Sequence, residues 1–303
     1  MQITTHQQTA RVHRSIRASR RHMAVLALGS VLGLAAAHAA LPEPLIRFDF
    51  TNGALANTGS ITNTNLTINA PAILSPDKAG VSGLSGDYAF TNTAASGMGS
   101  SANETGRDGV ATAPFTLAAT NTFTITGWFN AGTTLGSAAR ILQKTNTSSG
   151  INLYGNNGAL AVEINGKAAV SSDAVFGDTG KWVFFALTYS WSTDNSQGIV
   201  NFYVGSTAAG GIATAGTVAA ASGTGALAAT TSDLRIGNDP GKTRPFDGLL
   251  DDIRIYDEAL DIAQLDQIRL SAAPIPEPSH VALIVGVTTL ALGCAWRART
   301  NGK

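Results

Sequence analysis

The chain has 303 residues, 44% apolar and 13% charged, with Lys+Arg and Asp+Glu equal at 20 each. The length and apolar share support a sizeable core, and the charged share is about half the ordinary one. That excludes the clustered basic face a nucleic-acid binder needs.

The neutrality hides a division. Residues 45–272 hold 12 Lys+Arg against 18 Asp+Glu, while both ends are basic. An acidic body is either a solvated surface or a cation binder, since Ca²⁺ is held by carboxylate and carbonyl oxygens. The five His residues, at 6, 13, 22, 38 and 280, all lie outside this body, and the single Cys is Cys294. The body therefore has no imidazole base, no thiol nucleophile, no His or Cys metal ligand and no disulfide.

Arg11, Arg14, Arg17, Arg20 and Arg21 precede the apolar run of residues 23–36, and Ala37-His38-Ala39 follows it. A basic region, a short apolar core and a small-x-small site read as a secretory signal peptide over residues 1–39, cleaved after Ala39. Residues 40–44 contain Pro42-Glu43-Pro44, a stiff spacer before the first strand.

The body, residues 45–272, reads as short β-rich runs between Gly, Asn, Asp and Ser clusters. Residues 45–50 (LIRFDF) alternate, and 123–130 (FTITGWFN) are aromatic and β-branched. Residues 151–166 read as a hairpin through Gly-Asn-Asn-Gly. Residues 181–190 (KWVFFALTYS) form a near-continuous apolar strand, as at the centre of a sandwich. Strands at 198–206, 233–237 and 249–257 follow. Between them, 206–231 is Ala-Gly-Thr-rich, a loop with a weak strand. Only 258–270 has helical spacing, with Leu260, Ile262, Leu265 and Ile268 as its stripe. This pattern predicts an all-β, two-sheet antiparallel jelly-roll sandwich with one short helix packed on it.

Pro276-Glu277-Pro278 opens the last segment, residues 273–303. Residues 281–296 are sixteen without charge, followed by Arg297 and Arg299. This is a transmembrane helix near the lower length limit, with its basic end inside.

The Pro-Glu-Pro, apolar span and Arg-rich tail, on a chain with a signal peptide, resemble the PEP-CTERM sorting signal of Gram-negative bacteria that make exopolysaccharide. That resemblance implies processing by exosortase: membrane anchoring first, then release to the cell surface or extracellular matrix. The β words resemble a LamG-like, concanavalin A-type jelly roll. They are Phe123 to Phe129, Gly180 to Val183, Ala186 to Tyr189, Val200 to Val204, and the run holding Phe246, Gly248, Asp251, Ile253, Ile255, Tyr256 and Leu260. Where that family often has Asp-Gly after the Tyr-Val strand, this chain has Gly205-Ser206.

The resemblance implies a binding module for glycan or another matrix component. Enzymes of this fold carry two Glu and an Asp on one strand, pointing into one cleft. The body has only Glu104, Glu163 and Glu258, and no Glu-x-Asp-x-x-Glu stretch. A non-catalytic protein is therefore expected; the alternatives are a secreted glycan hydrolase and a purely structural coat protein.

The resemblance also implies a structural Ca²⁺ at Asp251, with Asp49 as a second candidate. Alternation places Asp251 with Ile253 and Ile255 on a buried face, where it either holds a cation or is paired or hydrogen-bonded. Trp128 and Trp182 are expected in the core. Trp191, just after the strand and entering a polar loop, is the candidate for stacking on a sugar.

Overall fold

The structure, a computed structural model, describes residues 40–92 and 109–273 apart from Thr134, Ser137 and Ala209. The signal peptide with Ala39, the motif Pro276, Glu277 and Pro278, and the span 281–296 lie outside the described residues. Among those described, no helix is long and apolar enough to cross a membrane.

In chain order the first strands are β1 Ile46–Phe48, β2 Thr67–Asn69, β3 Ile73–Leu74, β4 Phe90–Thr91 and β5 Val110–Ala113. Then come β6 Thr122–Ala131, β7 Arg140–Thr145, β8 Gly150–Asn156, β9 Ala159–Ile164 and β10 Val170–Ser171. The last are β11 Val183–Ser192, β12 Gln197–Ser206, β13 Ala213–Ala219, β14 Leu234–Ile236 and β15 Gly248–Tyr256, followed by helix α1 Ile262–Ala272. They build two antiparallel sheets. One, of eight strands, runs β13-β12-β11-β6-β15-β4-β3, with β1 also paired to β15; the other, of seven, runs β10-β9-β8-β7-β14-β5-β2. The expected all-β two-sheet jelly roll is the fold.

The main core lies between the sheets. Phe185, Leu187 and Tyr189 enter it from β11, Phe123, Ile125 and Phe129 from β6, and Leu153, Val162 and Ile236 from the facing sheet. A second cluster lies between the outer face of the eight-stranded sheet and α1, with Trp128, Phe184, Ala186, Tyr256, Leu265 and Ile268. This explains why β11 reads as unbroken apolar sequence: it is buried on both faces, by the facing sheet and by the helix. Gly127 is required in β6, because a Cβ there would come within 2.6 Å of Ile253 and 2.8 Å of the Phe185 ring.

The predicted hairpin is β8–β9, closed by Asn157 and Gly158 with φ of 51° and 81°. Two left-handed central residues make the turn whose twist matches the strands. The weak strand expected within 206–231 is β13, paired along β12 at the sheet edge. Strands β2 to β5, β7 and β10 carry too little contrast to be read from the sequence.

Helix α1 starts at a reciprocal cap. The Gln264 N–H donates to the Asp261 side chain at 2.8 Å, and the Asp261 N–H donates to the Gln264 side chain at 2.9 Å. The expected stripe is partly corrected. Leu265 and Ile268 are buried, Leu260 is buried ahead of the helix, and Ile262 faces solvent. Arg269 is buried instead, since its guanidinium reaches the Ser206 and Ala208 carbonyls at 2.6 and 2.9 Å and Asp266 at 2.8 Å.

Candidate functional site

Asp251 sits in β15 directly opposite Trp128 of β6. The strand register breaks between Asp251 and Arg254, and Asp252 takes a left-handed conformation with φ of 45°. This bulge corrects the alternation drawn from the sequence. Ile253 and Ile255 point into the main core, but Asp251 points the other way, toward Val81 and the second cluster. Its burial, at 1% exposure, agrees with the expectation.

The Asp251 carboxylate accepts the Val81 N–H at 2.9 Å on Oδ2 and the Asp252 N–H at 2.7 Å on Oδ1. Burial pushes its carboxyl well above the usual carboxylate range; the charges of Asp252 and Asp87 add to this, and the two N–H bonds oppose it. Asp252 is spoken for. It takes Arg254 Nη2 at 2.7 Å and Arg47 Nε at 3.3 Å.

Asp251, Asp49, Asp87, Asp252 and Arg47 line one cavity of about 230 Å³, together with Val81, Ser82, residues 84–86 and the end of α1. The structure thus brings the two expected cation ligands to one place. Asp49, just beyond β1, shares its carboxylate with Arg47 at 3.2 Å and the Thr51 N–H at 3.2 Å. Asp87, a carboxylate of the cavity that no sequence motif marks, accepts Ser82 N–H and O–H at 2.7 and 2.6 Å. A spacing rule could not find it, because it comes from a loop far from β15 in the chain. Among the described residues there is no group of three or more His, Cys, Asp or Glu placed to hold a metal ion. Of the two expected ligands, Asp251 is buried and Asp49 is half-buried.

A second polar surface covers the outer face of the seven-stranded sheet. Gln143, Asn152 and Glu163 are cross-strand neighbours in β7, β8 and β9. Glu163 accepts Asn152 Nδ2 at 2.8 Å on one oxygen and the Tyr154 O–H at 3.1 Å on the other. The next row holds Arg140, Tyr154, Ala161 and Ser171. The Arg140 guanidinium lies 4.5 Å over the Tyr154 ring. Burial, helped by the Glu163 charge, pushes the Tyr154 hydroxyl up to about 12. It is a hydrogen-bond donor there, not a base.

Trp128 is fully buried, edge-on to Phe184 at 5.3 Å. Trp182 is half-buried and borders a groove of about 630 Å³ with Val175, Asp178 and Lys181. Trp191 lies inside β11 opposite Gly198, half-buried against the main core, rather than in the loop beyond the strand.

These features define a two-sheet jelly roll with a polar cavity beside the end of α1 and a polar outer face on the seven-stranded sheet. The family model described as concanavalin A-like lectin/glucanases superfamily, Laminin_G_3, matches residues 104–266. The chain belongs to this superfamily. No curated protein matches it in sequence. Among solved structures, it is similar to the receptor-binding domain of botulinum neurotoxin mosaic serotype C/D. Identity is 12%, covering 75% of this chain and 50% of that one, with a TM-score of 0.51. It is similar also to a structure of botulinum neurotoxin type C, at 12% identity over 76% of this chain and 51% of that one, TM-score 0.51. A third is the serotype D binding domain, at 13% identity over 75% and 50%, TM-score 0.50. The chain spans about half the length of these structures, and at such identity the likeness is one of fold.

Proposed function

We propose that this protein is a non-catalytic, exported binding module that holds glycan or another matrix component. The observation that carries this reading is Glu163. It is the one carboxylate of its cross-strand row, and both its oxygens are held by Asn152 and Tyr154. Retaining or inverting hydrolysis needs two carboxyl groups flanking the bond. A fixed carboxylate among amide and phenol donors instead suits hydroxyl recognition. The fold-level likeness to botulinum neurotoxin type C, whose entry into cells depends on interaction with two ganglioside molecules, supports a recognition role.

In this reading the domain runs over residues 45–272, behind a signal peptide cleaved after Ala39 and a spacer at 40–44. Residues 273–303 form the sorting segment. It anchors the chain through 281–296 until exosortase acts on Pro276-Glu277-Pro278, and the product joins the surface or exopolysaccharide matrix. A Ca²⁺ ion held by Asp251, with Asp49 at the rim, would neutralise the buried carboxylate and stiffen the loop of residues 75–89.

A glycan array probed with residues 40–273, with and without Ca²⁺, tests the module. Binding that weakens in Glu163→Gln is the expected result, and Trp191→Ala reports whether that ring contributes. No binding under either condition supports a structural coat role instead. Release of reducing sugar from any bound glycan would return the hydrolase.

A further inference from the structure

We propose that the face of the seven-stranded sheet around Arg140 receives an acidic polysaccharide, with Arg140 and Arg244 binding the carboxylates of its uronic acid units. This rests on the reading of the chain as a glycan-binding module and names the class of glycan.

Arg140 is a buried cation whose donors are poorly used. Its side chain leaves β7 where the register shifts, with 9% of the residue exposed. Nη1 donates to the Ala138 carbonyl at 3.3 Å, and Nε has no partner. Among the described residues no carboxylate pairs with it. Desolvating a charge costs several kcal/mol unless it is paired or hydrogen-bonded; the buried Lys144 ammonium is held by two carbonyls, whereas Arg140 Nε has no acceptor.

The acids whose charges reach Arg140 are turned elsewhere. Glu163 is held by Asn152 and Tyr154. Asp239 accepts the Thr243 N–H at 2.6 Å, the Arg244 N–H at 3.1 Å and the Thr243 O–H at 3.2 Å. Burial acts most strongly against the Arg140 charge, and a second cation comes next. Arg140 N–H donates to the Arg244 carbonyl at 3.0 Å, and the Arg244 charge works against that of Arg140. Two guanidinium groups that repel each other and have no ion pair among the described residues are the arrangement an added carboxylate relieves, through charge-assisted and bidentate bonds.

The surroundings select a sugar acid. Arg140 and Glu163 lie two strands apart, about 10 Å across the sheet. Between them Tyr154 is half-buried beneath the Arg140 guanidinium and Ser171 is half-buried in the same row, while Ala161 and Asn152 are buried. A sugar laid between the two meets guanidinium donors at one end and a carboxylate acceptor for hydroxyls at the other.

The test uses the full chain purified in detergent. Calorimetry compares a linear oligogalacturonate with the same oligomer methyl-esterified, which removes charge and keeps the hydroxyls. The ester is expected to bind about tenfold more weakly or worse. Arg140→Gln should erase the difference between acid and ester, and Glu163→Gln should weaken both. If the Arg140 variant does not fold, Arg244→Gln, whose side chain is part-exposed, should shrink the same difference. Equal affinity for acid and ester overturns the acidic preference and leaves the module intact, as does an Arg140 or Arg244 variant that keeps the full difference. A chain that binds neither form, nor any glycan of an array, overturns the module reading as well.

Discussion

Asp251 of β15 accepts the backbone N–H of Val81 at 2.9 Å, joining residues 170 positions apart in the chain. The same carboxylate takes the Asp252 N–H at the bulge. Asp251→Ala leaves both buried N–H groups without an acceptor, and a loss of about 3 kcal/mol is expected. Asp251→Asn keeps one acceptor oxygen and should cost less. Calcium should raise the melting temperature of the parent protein above its value in EGTA and leave both variants unmoved. Equal melting temperatures of the parent in the two conditions, with no heat of Ca²⁺ binding, would remove calcium from this cavity.

One residue further on, Asp252 faces Arg254 in a buried pair, with Nη2 at 2.7 Å and Nε at 3.0 Å. Asp252→Asn retains a residue that tolerates the left-handed conformation but strips Arg254 of its counter-charge. Removing one partner of a buried pair is expected to cost about 3 kcal/mol. Adding Arg254→Met should restore part of that loss, because the orphaned charge goes too. Urea unfolding of the two variants and the double variant measures this. An Asp252→Asn protein as stable as the parent would show that the pair contributes nothing.

Lys144 makes stability depend on alkaline pH. Its ammonium is fully buried at one end of the core, 3.8 Å over the Phe115 ring, donating to the Phe115 carbonyl at 2.6 Å and to the Ser232 carbonyl at 2.5 Å. Burial pulls it down to about 8, against the pull of Asp233 the other way. In the unfolded chain it titrates near 10.4. The folded state therefore holds fewer protons between those values, and stability rises with pH across that window. From pH 7 to 9 the gain is expected to be about 1 kcal/mol, and Lys144→Met should flatten it. Denaturant midpoints across that range give the slope. A parent protein whose midpoint falls with pH contradicts the assignment.

The sandwich was legible in the sequence because its signals are local. Aromatic and β-branched runs mark β6, β11 and β15, and Asn157-Gly158 marks a two-residue turn. The face of Asp251 was not legible, because one bulged residue, Asp252, inverts the alternation and nothing in an Asp-Asp dipeptide announces it. The helix stripe failed at Ile262 and Arg269 for a related reason. Spacing gives a face, but the carbonyls of Ser206 and Ala208 decide that an arginine is buried there. Arg140 and Arg244 were invisible as a pair, since their meeting depends on a loop returning to the start of β7.

The sorting proposal separates two identical tripeptides. Pro42-Glu43-Pro44 precedes β1, and the Pro44 carbonyl accepts the Ser60 N–H at 2.8 Å, so it is tied into the sandwich. Pro276-Glu277-Pro278 precedes sixteen uncharged residues and an Arg-rich tail. A membrane-embedded processing enzyme can reach a tripeptide held at the bilayer surface by a span, not one folded against a strand. Glu277→Ala should therefore leave the full-length chain in the membrane fraction, with the released form lost from the medium or matrix. Glu43→Ala should be processed as the parent is. The measurement is a blot of membrane and released fractions in an exopolysaccharide-producing Gram-negative host, with and without its exosortase. Equal processing of the Glu277 variant and the parent would mean that the motif is not what the enzyme reads. Unchanged processing in the strain without exosortase would remove that enzyme from the pathway.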